Sequence, residues 1–320
     1  MTKYQTIVIA SAIGQPNPPG CVDWWMPYFL SLAVLAAVVF GFYRYATAAG
    51  RRRTAALAAG FPAAWRGLLA GHVAFYRVLG AAEKSRFEQR VQLFLADARI
   101  TGVQTEVDEL TRLLVAAAAV IPTFGFPEWA YAHLGEVLVV PDAWVLGPDS
   151  AQEMQPLQGT LLGSVQRFQN QHYMRLSKAS LLQGFADPED RQNVGIHEFA
   201  HLLDEADGVI DGVPQVELPP HLLGPWAATV HREMEALRAG ESDIRPYAGT
   251  NEAEFFAVVT EYFFEKPDQL QAHHPELYAL LTELFNQSPG ARRDPSEFGP
   301  RSPCPCGSGK PYEDCHQATT

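Results

Sequence analysis

The stretch HEFAHLLDEADG, residues 197–208, decides how the rest of the chain is interpreted. On a helix, residues four apart lie on one face about one turn from each other, so His197 and His201 can present two imidazole nitrogens to one ion. Glu198 then points its carboxylate past that ion toward a water molecule. The arrangement suits metal-assisted hydrolysis, in which zinc lowers the pKa of water to about 7, and a glutamate carries the proton to the leaving amine.

An ordinary amphipathic helix with two incidental histidines produces the same motif, so its surroundings must be considered. A catalytic zinc ion needs a third protein ligand and one open position. Downstream, residues 247–265 read YAGTNEAEFFAVVTEYFFE, and Glu254 and Glu261 lie seven residues apart on a predicted helix. Acidic side chains facing inward on such a helix are costly unless a positive group meets them. The spacing leaves both glutamates open as the third ligand, and solvated surface charges are the alternative.

Three further side chains near these motifs are candidates for supporting roles. Tyr247 could donate a phenolic hydrogen bond to the oxyanion that forms when hydroxide attacks a carbonyl, although a packing tyrosine beside Pro246 is the alternative. Asp204 follows His197 by seven residues, and Glu261 follows Glu254 by the same spacing. Both carboxylates are therefore candidates for orienting a metal ligand, and solvated helix charges explain them equally well.

An apolar run near the N-terminus predicts a membrane span. Residues 24–43 read WWMPYFLSLAVLAAVVFGFY and contain no charged residue. A helix of that length covers about 30 Å, the hydrocarbon thickness of a bilayer. Basic residues follow the run at Arg44 and 51–53, whereas only Lys3 precedes it, so the positive-inside rule places the later residues in the cytoplasm. A cleaved signal peptide and a buried core helix are the alternatives.

Composition and patterning indicate a folded, mainly helical protein. At 320 residues and 47% hydrophobic content the chain can bury the core of one large or two modest domains. A net charge of −12 makes nucleic acid an unlikely main partner, because binding phosphate backbones needs a basic face. Apolar periodicity predicts helices at 64–78, 83–98, 106–120, 222–238, 252–264 and 275–285. Strands are predicted at 136–141 and 160–168, with a loop at 142–159. A further helix is predicted through the HExxH stretch, with its start at Asp187, Pro188 and Glu189.

The C-terminal stretch CPCGSGKPYEDCH, residues 304–316, predicts a structural zinc site. Its four ligand side chains are Cys304, Cys306, Cys315 and His316, and four ligands without a vacancy describe a closed site. Reduced cysteines on a free tail are the alternative. The stretch resembles the SEC-C motif at the end of the SecA translocation ATPase, where the motif is a zinc-stabilised docking tag for a protein partner.

Four stretches of the sequence, including those that contain the HExxH histidines and Glu254, resemble the Mlc titration factor A family. The resembling segments are NVGIHEFAHLLDEADG (193–208), YAGTNEAEFFAVVTEYFFE (247–265), RVQLFLADARITG (90–102) and GEVLVVPDAW (135–144). Family members are zinc peptidases of aminopeptidase type, also called DgsA anti-repressors, with a core similar to the anthrax lethal factor protease domain. The resemblance implies zinc ligands at His197, His201 and Glu254, Glu198 as base, and Tyr247 near the metal. The family's namesake sequesters the repressor Mlc, but no residue here identifies a docking surface for a repressor.

Together these patterns predict an α+β, mainly helical fold with a zincin-like metallopeptidase core and a small sheet. The expected function is a membrane-anchored, cytoplasm-facing peptidase of the inner membrane that hydrolyses peptides with one catalytic Zn²⁺ and carries one structural Zn²⁺. The alternative is a membrane-tethered regulatory protein that sequesters a transcriptional repressor or another partner. The expected segments are an extracytoplasmic segment (1–23), a transmembrane helix (24–46), a basic connector (47–63), the peptidase domain (64–286), a linker (287–301) and the zinc motif (302–320).

Overall fold

The computed structural model describes residues 26–131, 134–142, 163–168, 171–188, 190–214 and 218–291. The chain divides into two units, Met1–Arg51 and Arg52–Thr320. The predicted N-terminal segment 1–23, nearly all of the predicted loop 142–159 and the zinc motif 302–320 lie outside the described residues.

A helix, α1 (Met26–Ala46), covers the apolar run of the first unit. Its large apolar side chains, among them Phe29 and Phe42, are exposed. Among the described residues, no single helix combines the length and hydropathy that a membrane span requires. The helical stretches Ser31–Arg44 and Ala48–Ala58 meet those requirements by length and composition only as a pair, bent by 45°. The predicted transmembrane helix therefore stays a prediction.

The segment predicted as a basic connector contains a second helix, α2 (Ala48–Ala58). Alanine, leucine and arginine, which favour helices, make up most of its sequence. None of its residues is buried, so its helical conformation depends on local propensity more than on packing.

Helices make up most of the described part of the second unit. The helix predicted over 64–78 is in fact two helices, because Val73 adopts extended backbone and buries its side chain completely. The sequence also missed two short helices, α7 and α11. In chain order the helices are α3 (Ala63–His72), α4 (Ala74–Arg77), α5 (Ala81–Asp97), α6 (Glu109–Thr123), α7 (Lys178–Ala186), α8 (Val194–Asp204), α9 (Leu223–Ala239), α10 (Glu252–Glu265), α11 (Pro267–His273) and α12 (Pro275–Phe285).

A small mixed sheet completes the second unit. The spatial order of its strands is β1 (Arg99–Gly102), β2 (Leu134–Val140), β4 (Gln171–Ser177) and β3 (Gly163–Phe168). The first three strands are parallel, whereas β3 lies antiparallel to β4 at the edge. The sequence predicted β2 and β3 but missed β1, which has only four residues, and β4. The expected mainly helical fold with a small sheet is confirmed.

The helix that carries the HExxH motif, α8, starts later than predicted. Its N-cap is Asn193, whose side chain accepts a hydrogen bond from the backbone N–H of Ile196. The predicted start at residues 187–189 is wrong, because Asp187 is the C-cap of the preceding helix α7. Arg191 lies between the two helices with φ +60°, a conformation that interrupts any helix running through this stretch.

Small and aromatic side chains fix α8 in the core. Residues 116–119 of α6 are four consecutive, fully buried alanines. They let α8 approach so closely that a Cβ added to Gly195 would lie 2.6 Å from the Cβ of Ala118. Phe199 of α8 packs against Phe94 and Tyr131, with ring centroids 5.6 and 5.0 Å away. Burying a phenylalanine contributes about 2–3 kcal/mol, so this contact holds the helix firmly.

A histidine between two carboxylates joins the C-terminal helices. The Nδ1 atom of His274 lies 2.8 Å from Glu233 of α9, and its Nε2 atom lies 2.7 Å from Asp243. Hydrogen bonds to Glu233 and then Asp243 raise the pKa of His274 above its ordinary value of 6.5, although burial opposes them. Asp243 also accepts hydrogen bonds from Tyr262 of α10 and from Arg191. The cluster therefore connects α9, α10, the α11–α12 junction and the segment before α8.

We expect the substitution His274→Gln to lower the free energy of unfolding by about 2 kcal/mol near pH 6, because two carboxylates lose a charged hydrogen-bond donor. The folded pKa is raised, so the contribution is complete below pH 6.5 and is lost as the pH rises through the folded pKa. Urea unfolding near pH 6 and near pH 9 measures this difference. A destabilisation that does not shrink at the higher pH would contradict the assignment, and His231→Gln, at an exposed histidine, serves as the control.

Candidate metal centre

Helices α8 and α10 bring two imidazoles and a carboxylate together. His197 and His201 lie one turn apart on α8, with ring centroids 4.9 Å from each other. Glu254 lies in the first turn of α10, where the N-cap Asn251 accepts a hydrogen bond from its backbone N–H. Its Oε2 atom lies 3.0 Å from Nε2 of His197 and 3.6 Å from Nε2 of His201. One atom from each of the three residues lies within 4.8 Å of the others, which is a spacing that can hold a metal ion.

The charges at this meeting point favour a cation. Burial lowers the pKa of His197, but hydrogen bonds to Glu254 and Glu261 outweigh burial and raise that pKa to about 10. Burial opposes ionisation of Glu254 as well, yet its hydrogen bonds to the two histidines hold its pKa well below the ordinary range. A proton on His197 thus offsets the negative charge of the surrounding carboxylates. A divalent ion can take the place of that proton, because metal binding requires neutral imidazole nitrogens and an ionised carboxylate.

Glu261 supports His197 from the side opposite to Glu254. It is 2% exposed, and its Oε1 atom lies 2.8 Å from Nδ1 of His197. Its carboxylate also accepts hydrogen bonds from the backbone N–H of Asn193 and from the guanidinium of Arg245. A carboxylate in this place fixes the orientation and tautomer of a metal-binding imidazole. Of the two glutamates left open by spacing, Glu261 lies at Nδ1 of His197, and Glu254 lies at Nε2, the nitrogen on the side of His201.

Asp204 has a different role from the one considered for it. It is fully buried, so it is not a solvated helix charge. Its Oδ2 atom accepts a hydrogen bond from the backbone N–H of Gly212, and among the described residues no hydrogen bond joins it to a histidine ring. Gly212 has φ +78°, and a Cβ there would lie 2.3 Å from the carbonyl oxygen of Glu252. Since Trp226 donates to the carbonyl of the same glycine, this contact ties α8 and α9 to the first turn of α10.

Glu198 lies beside the cluster of His197, His201 and Glu254 but is not one of its three donor residues. It is 4% exposed, and burial raises its pKa to about 7. The edge strand β3 passes directly over its carboxylate, because a Cβ added to Gly163 would lie 2.2 Å from Oε1 of Glu198. Only a glycine leaves room there for the carboxylate. A buried glutamate with a pKa near neutrality has the properties of a general acid and base.

Tyr247 faces the same centre from the 3-10 turn Pro246–Gly249. Its ring centroid lies 6.0 Å from that of His197, and 43% of the residue is exposed. Burial of the hydroxyl, the charges of Glu254 and Glu198, and a hydrogen bond to Glu254 raise the pKa of Tyr247 well above its ordinary value. The phenol is therefore neutral and remains a hydrogen-bond donor. Its position agrees with a role beside the reacting atoms.

Sequence reasoning missed several residues that build the centre. Gly163, Gly212 and Arg245 carry no signal of a functional role in the sequence, since their contacts come from distant parts of the chain. The predicted ligands Cys304, Cys306, Cys315 and His316 lie outside the described residues.

Comparisons with known proteins point to a metallopeptidase. The model of a family described as "Glucose-regulated metallo-peptidase M90" matches residues 47–286, and the model of the SEC-C motif matches residues 301–318. An uncharacterized protein of Synechocystis sp. is 28% identical over 277 residues, covering 82% of this chain and 98% of that protein. A Mlc titration factor A of Enterobacter sp. is 28% identical over 229 residues, covering 67% and 83%. The Mlc titration factor A of Pectobacterium atrosepticum is 38% identical over 108 residues, covering 31% and 40%.

We expect His197→Ala to lower the bound metal by about one ion per chain, because the two remaining donors hold an ion far more weakly. Elemental analysis after dialysis against metal-free buffer measures the content. As a matched control, His221→Ala removes an exposed histidine that pairs with Glu283 and should leave the content unchanged. Equal metal in His197→Ala and the unaltered protein would argue against the centre.

Proposed function

Because the chain belongs to the glucose-regulated metallo-peptidase M90 family, we propose that it is a zinc-dependent peptidase that hydrolyses peptide bonds with Glu198 as the general base. The observation that carries the proposal is the meeting of His197, His201 and Glu254 beside a glutamate that is not needed as a ligand. Two imidazoles and a carboxylate are the donors of catalytic zinc sites that keep one position open.

The three clustered side chains would hold the zinc ion. When bound, zinc supplies Lewis-acid chemistry, polarising a peptide carbonyl and lowering the pKa of water to about 7. Glu198 takes the proton from the attacking water and delivers it to the departing amine. Its burial keeps it out of bulk solvent, and Gly163 of the edge strand leaves the space that its carboxylate occupies.

Two further side chains complete the proposed mechanism. Tyr247 donates its phenolic hydrogen bond to the oxyanion that develops on the carbonyl. A donor that is already in place stabilises this developing negative charge. Glu261 keeps Nδ1 of His197 protonated, so that Nε2 is the nitrogen presented to the ion.

We propose an aminopeptidase preference from the family resemblance alone. Faster hydrolysis of aminoacyl anilides than of N-blocked peptides would support this preference, and the reverse would refute it.

The substitution Glu198→Gln should lower kcat by about 100-fold or more, because the base is lost while the shape is kept. The zinc content should not change, since Glu198 is not among the clustered donors. Hydrolysis of chromogenic aminoacyl and short peptide substrates measures the rate. The matched control is Glu283→Gln, which alters an exposed glutamate and should leave kcat unchanged. Equal rates in Glu198→Gln and the unaltered protein, with zinc bound to both, would refute the proposal that Glu198 is the catalytic base.

A second candidate function is a regulatory binding protein with little or no catalysis. The relatives named Mlc titration factor A favour it, because their name describes capture of another protein. Here the partner would be a transcriptional repressor or another regulator. If the purified protein captures such a partner equally well with Glu198→Gln, and hydrolyses no peptide in either form, the binding function is favoured.

The C-terminal motif is proposed to hold a second, structural zinc ion and to dock a protein partner. The match to the SEC-C motif supports this assignment. Its proposed ligands are Cys304, Cys306, Cys315 and His316. The same elemental analysis separates the two sites, since replacing Cys304 and Cys306 would remove the structural ion alone.

Membrane anchoring at the inner (cytoplasmic) membrane is proposed from helix α1. Its apolar side chains are exposed, and the basic residues 51–53 that follow favour a cytoplasmic position for the peptidase domain. We expect the full chain to sediment with membranes and to resist a carbonate wash, whereas a chain lacking residues 1–46 should be found in the soluble fraction. Deletion of residues 1–20 alone is the control and should leave the protein in the membrane. Release of the full chain by carbonate would refute the anchor.

A further inference from the structure

The segment that carries Tyr247 is attached to the rest of the protein by specific charged contacts. We call residues 240–249, which connect α9 to α10, the tyrosine arm. Ile244 and Ala248 anchor it in the core with 2% and 0% exposure. Tyr247 itself is 43% exposed, so packing around its own ring holds it only in part. The remaining constraint comes from the hydrogen bond of Tyr247 to Glu254 and from the charged side chains of the arm.

The inner contact of the arm is made by Arg245. Its guanidinium donates to Oε1 of Glu261, the same oxygen that faces Nδ1 of His197. Glu261 is buried in α10 and also accepts a hydrogen bond from the N-cap residue of α8, Asn193. The arginine thus joins the tyrosine arm to both helices of the metal centre through a single carboxylate. A cation beside this carboxylate also offsets the cost of burying it.

The outer contact of the arm is made by Asp243. Its carboxylate lies 3.0 Å from Nη1 of Arg191, 2.7 Å from the hydroxyl of Tyr262 and 2.7 Å from Nε2 of His274. Arg191 also donates to the backbone carbonyl of Asp243, and its guanidinium lies 4.8 Å from the centre of the Tyr262 ring. These contacts fix the tyrosine arm at Asp243, two residues before Arg245. Arg245 can therefore influence only the part of the arm that follows it.

A short, stiff connection transmits the position of Arg245 to Tyr247. Pro246 is the one residue between them and begins the 3-10 turn. Arg245 has φ −55° and ψ 135°, close to the polyproline II region, which a following proline permits. The turn is closed by hydrogen bonds from the N–H of Ala248 to the carbonyl of Arg245 and from that of Thr250 to the carbonyl of Tyr247. The backbone segments of Arg245 and Tyr247 are therefore rigidly connected, so an Arg245 held on Glu261 restricts where Tyr247 can lie.

We propose that Arg245 is a positioning residue that, through Glu261, holds the Tyr247 hydroxyl and the His197 ring in register. The inference rests on the proposed peptidase function, because it assigns Tyr247 to the oxyanion. Arginine suits this role better than lysine, since its planar fork keeps one orientation on the carboxylate, whereas an ammonium group does not. Arg245 donates to Glu261 and not to the three clustered side chains. Glu261 can keep its hydrogen bond to His197 without the arginine, so the main effect of Arg245 passes through Tyr247.

The kinetic test compares Arg245→Met, Arg245→Lys and Tyr247→Phe in the full chain loaded with zinc. We expect Arg245→Met to lower kcat about tenfold or more with KM changed less than about twofold, and Arg245→Lys to recover part of the loss. In the Tyr247→Phe background, Arg245→Met should lower kcat by less than about threefold, because both changes remove the same interaction. Additive effects of the two substitutions would overturn the proposal. Arg232→Met, which alters an exposed arginine paired with Glu276, is the matched control.

A second readout does not depend on catalysis. Amide hydrogen exchange, followed by mass spectrometry on peptides covering residues 244–250, should become about tenfold faster in Arg245→Met and stay unchanged in Arg232→Met. Unchanged exchange in Arg245→Met would overturn the proposal even if kcat falls. If the unaltered protein hydrolyses no peptide, the proposed function fails, and the exchange result alone decides whether Arg245 holds the arm. Should Arg245→Met not fold, Arg245→Lys is measured in both experiments, with a smaller effect of the same sign expected.

Discussion

Buried charge at the contact between α8 and α10 is the constraint on which the rest of the structure depends. His197 lies between Glu254 and Glu261, and Glu198 is buried beside them. Taking an ionised side chain out of water costs several kcal/mol unless an opposite charge and hydrogen bonds compensate. Arg245 offsets the charge of Glu261, and the two imidazoles and the Glu254 carboxylate that remain are a donor set that suits a divalent cation.

The helices can carry these charges only because their backbones approach one another closely. The alanines of α6 leave room for Gly195, which lets α8 lie deep in the core. Gly163 lets the edge strand pass over the Glu198 carboxylate, and Gly212 lets the loop after α8 contact the first turn of α10. A side chain at Gly163 would displace Glu198 itself, and one at Gly195 or Gly212 would displace a segment packed against α8 or the first turn of α10. Close packing therefore sets the distances among the polar side chains, which the chemistry requires.

Much of the secondary structure could be predicted from local pattern, and the errors have identifiable causes. The helices α5, α6, α9, α10 and α12 follow apolar periodicity over several turns and were predicted near their observed bounds. The short elements β1, α7 and α11 contain too few residues for a period to be recognised. The start of α8 was misplaced because Asp187, a residue type that often begins a helix, here ends one.

The sequence by itself determined which kinds of side chain the centre contains. Two histidines and a glutamate in one helical motif, followed by an acidic and apolar helix, point to metal chemistry because their spacing depends only on helix geometry. Tertiary structure decided how these side chains are used. Spacing left Glu254 and Glu261 equivalent, yet the crossing of α10 over α8 places them at opposite nitrogens of the His197 ring. The same crossing assigns Asp204 to Gly212 and brings Arg245 to Glu261, because distances between helices depend on packing and not on position along the chain.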